Sequence, residues 1–342
     1  MNKIKALVTA EIIRPTLEGL CGDRVSFTYD GYNLNHDVME HEKLRSIIGG
    51  YEILICEYDT ISKDILEAAT NLKIIICCRG GVKSVVDLEE AEKRGIIVCN
   101  NSGRNASAVA DLVLGYMIDM TRHITASNNS IHNRIITQDT STKPKEYQDT
   151  VWGLNNDSPF IRFRGRSLNQ MTLGIFGFGY VGRLVARRAH AFGMRIITCH
   201  PFTPKKELPE YVEDVNWDEF LVQSDIISAH CLLTPKSRGM FNKELFAKMK
   251  DGAYFINTAR GGIVEEDDMI AALKSGKLAG AAIDVTCVEP IASDSPLVGC
   301  PNLIITPHIA GSAHDVQVCG TRMVCESLLD YLRGIYPAHR VV

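Results

Sequence analysis

"TLGIFGFGYVGRLVARRAHAFGMRIITCH", residues 172 to 200, runs from apolar to glycine-rich to amphipathic and back to apolar. Gly177, Gly179 and Gly182 stand in the spacing GxGxxG, between a strand-like run and a helix-like run. There the first glycine permits a tight turn and the second lets the backbone approach a pyrophosphate. The third lets the helix pack closely on the strand. Val181, Leu184 and Val185 share one helix face, and a helix N-terminus attracts phosphate. An ordinary strand-to-helix turn would share the glycines but has no need of this whole context. The stretch therefore predicts a dinucleotide site.

The last residue quoted raises a question of preference. About 20 residues after such a turn a carboxylate usually holds the ribose hydroxyls. Here the position is His200. A neutral imidazole offers one acceptor and does not repel a 2′-phosphate, and Lys205 and Lys206 add positive potential. His200 also suits a plain strand cap. These residues weaken discrimination between the two nicotinamide cofactors, NAD and NADP.

Outward from the turn the same alternation continues. "SDIISAH", "GAYFINT", "AGAAIDV" and "LIITPH" read as buried strands downstream. Upstream, "IKALVTA", "EILICE", "LKIIICC" and "GIIVCN" alternate with helical stretches such as "SKDILEAATN" and "VDLEEAEKRG". That is the pattern of βαβ units in a parallel sheet. The fold class is α/β, with two doubly wound parallel-sheet domains, Rossmann-like or flavodoxin-like, and a cleft between them. "ASAVADLVLGYMIDMTRHITASNNSIHNR" predicts one long helix able to cross from one to the other, and residues 137 to 170 carry no clear periodicity. The amphipathic "VQVCGTRMVCESLLDYLRG" near the C-terminus is expected to return to the first domain.

Length and composition agree with this division. A chain of 342 residues exceeds one ordinary core. Its 45% hydrophobic and 23% charged residues are those of a soluble globular protein. A net charge of -4 without basic clusters argues against nucleic acid, and no apolar run reaches a membrane span. The N-terminal "MNKIKALVTA" is too brief for a secretory h-region. None of the eleven cysteines forms a CxxC pair, and Cys77 and Cys78 lie in an apolar run. These read as reduced thiols of a cytoplasmic protein, with no disulfide framework and no metal site.

Three segments place a chemically capable residue just after a predicted strand: Arg260 in "FINTARGG", Glu289 in "IDVTCVEP" and His308 in "IITPHIAG". The carboxyl ends of strands in an open α/β sheet form the ligand crevice, so all three should converge. Singly each has a plain role, as a surface ion pair, a turn before proline or a loop histidine. Their joint occurrence with a dinucleotide turn is the signal.

"GFGYVGR", "MKDGAYFINTARGGIVEEDDMIAALKSGKLAGAAIDVTCVEP" and "PNLIITPHIAG" resemble the D-isomer-specific 2-hydroxyacid dehydrogenases. That family includes phosphoglycerate, D-lactate and glyoxylate/hydroxypyruvate enzymes. "CRGGVKSVVDLEEAEKRGIIVCNNSGRNASAVAD" resembles the stretch before the family's interdomain helix. The resemblance implies that Arg260 binds the substrate carboxylate and polarises its keto oxygen. His308 would shuttle the proton at the C2 oxygen, and Glu289 would accept a hydrogen bond from the other ring nitrogen. Hydride would pass directly between C2 and the nicotinamide. Implied cofactor contacts are Tyr180, Val181, His200 and Pro201 beside the glycines, then Thr234, Thr258 and Ala259. Asp284, His308 and Gly311 complete the set, Asp284 reaching the carboxamide.

By the same analogy residues 1–106 with 311–342 form the substrate domain and 107–310 the cofactor domain. Residues 123–170 would embrace the second subunit of a homodimer. Arg79, Gly80, Gly81 and Val82 resemble the loop whose backbone N–H groups receive the substrate carboxylate, although its glycines also suit a plain turn. In "ILICEYDTISKDIL" the place of a phosphate-binding arginine in phosphoglycerate dehydrogenases is taken by Glu57, with Asp59 nearby. Two carboxylates repel a phosphate and suit hydroxyls, unless both simply point to solvent. The expected ligand is a small, non-phosphorylated 2-hydroxy or 2-keto acid. The alternatives are a corepressor-like NAD sensor on this fold, 3-phosphoglycerate dehydrogenase proper, or a formate or phosphonate dehydrogenase.

Overall fold

The apolar runs become two parallel sheets. The computed structural model describes residues 3–136, 158–199 and 207–342. The chain divides into two compact units, Met1–Asn105 with Ser312–Val342, and Ala106–Gly311.

Among the described residues, the first unit holds a five-stranded sheet built of β1 (Ile4–Val8), β2 (Val25–Tyr29), β3 (Ile53–Cys56), β4 (Ile74–Cys77) and β5 (Ile97–Asn100). Its order is β2-β1-β3-β4-β5, every pairing parallel. β3 and β4 are buried along their whole length, which is why they read as unbroken apolar runs. The helix His314–Leu332 packs into this unit, where Val324, Cys325 and Leu328 share a core with Val8, Ile53 and Ile74. Beyond it the Val341 N–H donates to Val98 O at 2.7 Å.

The second unit holds a seven-stranded sheet: β6 (Thr172–Phe176), β7 (Arg195–Thr198), β8 (Val212–Asp214), β9 (Ile226–Ala229), β10 (Ala253–Asn257), β11 (Leu278–Ile283) and β12 (Leu303–Ile305). The order is β12-β11-β10-β9-β6-β7-β8. The chain builds outward from β6 to β8, then returns to β9 on the other side of β6. The strand order thus reverses between β6 and β9, and a crevice opens at their carboxyl ends.

The single long helix expected after residue 105 is two helices. Ala106–Arg122 and Ile124–His132 are separated by His123, which sits in the left-handed region at φ 55°. The cause is a local cap. Asp119 accepts the Thr125 N–H at 2.7 Å and the Thr125 hydroxyl at 2.5 Å, which satisfies the first turn of the second helix. The first helix begins at Ala106, the first residue of the second unit, so it lies wholly inside that unit. No helix among the described residues is long and apolar enough to cross a membrane.

Candidate active site

The glycine turn follows β6 at the point where the strand order reverses. Gly177 has φ 104°, and a Cβ there would stand 2.5 Å from the His230 carbonyl carbon. Only glycine fits, because the backbone after β6 lies against the backbone after β9. A Cβ on Gly182 would stand 2.2 Å from Gly177 O, so this glycine brings the helix onto the turn. Gly179 differs: nothing lies within 4 Å of its Cβ position. It caps the helix Tyr180–Ala191, whose first turn carries no acidic residue and no side-chain cap. The first N–H groups of that helix, Tyr180 and Val181 among them, are left for an anion.

Around the turn the strand ends are fixed. His230 shares a hydrogen bond with the Ser228 hydroxyl through Nε2 at 2.8 Å, and burial pushes its pKa down to about 3, so the ring is neutral. Thr198 donates to Ile175 O at 2.9 Å and anchors the end of β7. His200 and Pro201, assigned to the ribose from sequence, lie outside the described residues. After β9, Thr234 and Ser237 close a turn on one another: the Thr234 N–H donates to Ser237 Oγ at 2.8 Å, and the Ser237 N–H to Thr234 Oγ1 at 3.2 Å. Leu232, just before that turn, is 82% exposed, and Tyr180 is also exposed.

At the end of β10 the Asn257 side chain shapes the next loop. Its Nδ2 donates to Arg260 O at 2.9 Å and its Oδ1 accepts the Ala259 N–H at 3.0 Å. Arg260 is held extended and exposed, with Nη1 donating to Ala259 O at 2.6 Å. A Cβ on Gly261 would stand 2.1 Å from the Thr286 carbonyl carbon. The arginine loop therefore lies flat against the loop that leads to Glu289. Thr258 Oγ1 is buried with no hydrogen-bond partner among the described residues, the kind of orphaned group a ligand satisfies.

Glu289 and His308 meet directly. The carboxylate accepts from the Thr286 N–H at 3.1 Å through Oε1, and Oε2 lies 2.7 Å from His308 Nδ1. Partial burial raises the Glu289 pKa. The His308 hydrogen bond, the Thr286 N–H and the charges of His308 and Arg260 outweigh that, and hold it below the usual range. A carboxylate on Nδ1 fixes the tautomer and leaves Nε2 facing outward. The pair borders a hollow of about 570 Å³, lined also by Asp284, Ile291, Ile305 and Thr306.

Asp284 is 1% exposed and serves the same loop. Its Oδ1 accepts the Thr306 hydroxyl at 2.5 Å and the Ile309 N–H at 2.8 Å, and its Oδ2 accepts the Ala310 N–H at 2.8 Å. His308 has φ 57°, a left-handed conformation that turns those two N–H groups onto the carboxylate. Oδ2 retains room for one more donor, such as a carboxamide. Gly311 closes the segment and the unit.

In the first unit the N–H groups of Gly80, Gly81 and Val82 donate to no acceptor among the described residues. Both glycines are exposed, and the Val82 side chain is buried. The Arg79 guanidinium lies 5.3 Å from the Tyr58 ring centroid. The reading of Glu57 and Asp59 as two free carboxylates needs correction. Glu57 is 3% exposed and ion-paired with Arg104, so its charge is cancelled inside the unit. Asp59 is 1% exposed and accepts the Thr9 hydroxyl at 2.5 Å and the Met39 N–H at 3.3 Å. Neither points to solvent, because Arg104, the Thr9 hydroxyl and the Met39 N–H take up the two carboxylates.

Known proteins carry the same arrangement of segments. A family model described as D-isomer specific 2-hydroxyacid dehydrogenase, NAD binding domain, matches residues 114–310. The chain is similar to a hydroxypyruvate reductase of Thermotoga maritima, 36% identical over 282 residues, with 82% of this chain and 84% of that protein covered. It is also similar to a D-3-phosphoglycerate dehydrogenase of Archaeoglobus fulgidus, 32% identical over 299 residues, with 87% of this chain covered. Of that relative the chain spans 52%, about half its length. A solved structure of a Thermus thermophilus protein superposes with a TM-score of 0.78 at 31% identity, covering 99% of this chain and 100% of that one.

The chain belongs to the D-isomer specific 2-hydroxyacid dehydrogenases, nicotinamide-dependent oxidoreductases that act on CH–OH groups. The open position over Gly179, the uncapped helix N-terminus and the orphaned Thr258 hydroxyl fit an NAD(P) cofactor.

Proposed function

We propose that the chain interconverts small, non-phosphorylated 2-keto acids and D-2-hydroxy acids, using NAD or NADP. The observation that carries the reading is the 2.7 Å contact between His308 Nδ1 and Glu289 Oε2, in the unit that also presents Arg260 and the glycine turn. When bound, the nicotinamide supplies or accepts the hydride at C2. The N–H groups of Tyr180 and Val181 and the open backbone of Gly179 hold its pyrophosphate. Arg260 pairs with the substrate carboxylate and draws electron density toward the keto oxygen. His308 Nε2 delivers the proton to that oxygen in reduction and removes it in oxidation, while Glu289 stabilises the imidazolium. In the first unit, taken by itself, the free N–H groups of Gly80, Gly81 and Val82 suit a carboxylate.

Glu289→Gln should shift pH dependence rather than abolish activity. The substitution takes the carboxylate from Nδ1, so the imidazolium formed during the reaction loses its 2.7 Å partner and the pH profile of keto-acid reduction should change. A kcat/KM profile measured in the reductive direction checks this, and an unchanged profile would contradict the role given to Glu289.

For the non-phosphorylated substrate, the support is the similarity to a hydroxypyruvate reductase along 84% of that protein, against 52% of the D-3-phosphoglycerate dehydrogenase. Glu57 offers no support, since Arg104 neutralises it. The test follows reduced-nicotinamide absorbance with glyoxylate, pyruvate, hydroxypyruvate and 3-phosphohydroxypyruvate, each with NADH and with NADPH. Turnover of hydroxypyruvate or glyoxylate is expected. Preference for the phosphorylated compound would sink the substrate class, and no turnover of any keto acid by folded protein would sink the reading.

The working form in this reading is a cytoplasmic homodimer. Eleven unpaired thiols suit a reducing compartment. Ile124, Ile131, Ile135 and Phe160 are exposed on the described parts of 123–170 and suit a subunit contact, while 137–157 lie outside the described residues.

A further inference from the structure

Tyr116 stands on the buried face of the helix Ala106–Arg122, where the sequence reads as ordinary core. It is 4% exposed and packs with Ile256, Ala282 and Ala310. Its phenol also does something a core leucine would not, because it hydrogen-bonds the Thr306 hydroxyl. The direction of that bond follows from proton counting. Thr306 has one hydroxyl proton, and it goes to Asp284 Oδ1, since a carboxylate only accepts. Tyr116 must therefore donate to Thr306. The chain of donors runs Tyr116 to Thr306 to Asp284, and Asp284 in turn gathers the N–H groups of Ile309 and Ala310.

We infer that Tyr116 is a positioning residue for the proposed proton transfer, holding the His308 loop in register through Thr306 and Asp284. The inference rests on the role given to His308 above. His308 occupies a left-handed conformation at φ 57°, which is disfavoured for a residue that carries a Cβ. The Asp284 carboxylate offsets that cost only while it stays aimed at the two N–H groups. A threonine hydroxyl left without Tyr116 is free to turn and release Oδ1. Tyr116 thus acts at one remove, and the group against the His308 ring itself remains Glu289, whose carboxylate also feels the charge of Arg260. Burial, with the Asp284 charge, pushes the phenol up to about 12, so it remains a donor throughout the neutral range.

The test uses Tyr116→Phe, which keeps the ring and removes only the hydroxyl, together with Thr306→Val, Thr306→Ser and the Phe/Val double variant. Two readouts are taken on the full chain. One is kcat and KM for the best keto acid. The other is the pH profile of diethyl pyrocarbonate modification at His308, read by peptide mass without any turnover.

Tyr116→Phe should lower kcat about tenfold, as for one lost hydrogen bond, with the KM for the keto acid little changed. Its His308 should react faster with the reagent across the pH range, because a misplaced ring loses contact with Glu289. Thr306→Val should behave alike, Thr306→Ser should restore both readouts, and the double variant should be no worse than either single one. Additive losses, or a Tyr116→Phe protein with the wild-type profile and kcat, would overturn the inference. Absence of turnover in the wild type would instead remove the proposed function, and the modification profile would still decide the role of Tyr116.

Discussion

Replacing His308 with glutamine should cut turnover by about 10²–10⁴-fold, the usual worth of a positioned general acid–base. Glutamine can hydrogen-bond Glu289 but cannot carry a proton to and from the C2 oxygen. The backbone adds a second consideration. At φ 57° the position favours histidine, asparagine or aspartate over longer side chains, so the glutamine protein carries some strain of its own. His308→Asn is the companion that separates the two effects: it tolerates the left-handed backbone and is equally unable to transfer a proton. Both variants should bind NADH like the wild type, since the glycine turn is untouched. Single-turnover rates, together with NADH affinity from fluorescence, make the measurement. Near-normal turnover by the asparagine variant across pH would mean that His308 is not the proton-transfer group.

The parts of this site legible in the sequence are those that depend on strand ends. "FINTARGG", "IDVTCVEP" and "IITPHIAG" each pair a fully apolar run with a chemically capable residue, and period and punctuation locate both. Two strands left no such mark. β2, "VSFTY", lies at the sheet edge with alternating burial, and its serine and threonine dilute the apolar signal. β8, "VED", is also an edge, and only its first residue is buried.

The break at His123 was illegible for a different reason. Apolar spacing continues across it, and only the reach of Asp119 to Thr125 marks the start of the second helix. Glu57 misled because a sequence shows a carboxylate without its partner, and Arg104 comes from a different strand end. Tyr116 and Asn257 were invisible on the same ground. A tyrosine on an apolar helix face and an asparagine ending a strand look like packing until the atoms they touch are known.

Alanine at Gly182 and alanine at Gly179 should fail in opposite ways. At Gly182 the new methyl would stand 2.2 Å from Gly177 O and 3.2 Å from Ile175 Cγ2, so the helix Tyr180–Ala191 must move off the strand. Overpacking of that kind costs roughly 1–3 kcal/mol or more, read as a lower Tm with or without cofactor. At Gly179 the backbone, at φ -82° and ψ -156°, is open to any residue, and the methyl meets nothing. Gly179→Ala should therefore keep the wild-type Tm. Its methyl instead occupies the approach of the pyrophosphate to the helix N-terminus. The expected loss in NADH affinity is about 10–100-fold, equivalent to roughly 1.4–2.8 kcal/mol. Calorimetric unfolding and fluorescence titration with NADH, run on both variants, separate a glycine needed by the fold from one needed by the ligand. A Gly179→Ala protein that binds NADH as tightly as the wild type would show that the dinucleotide does not lie across this turn.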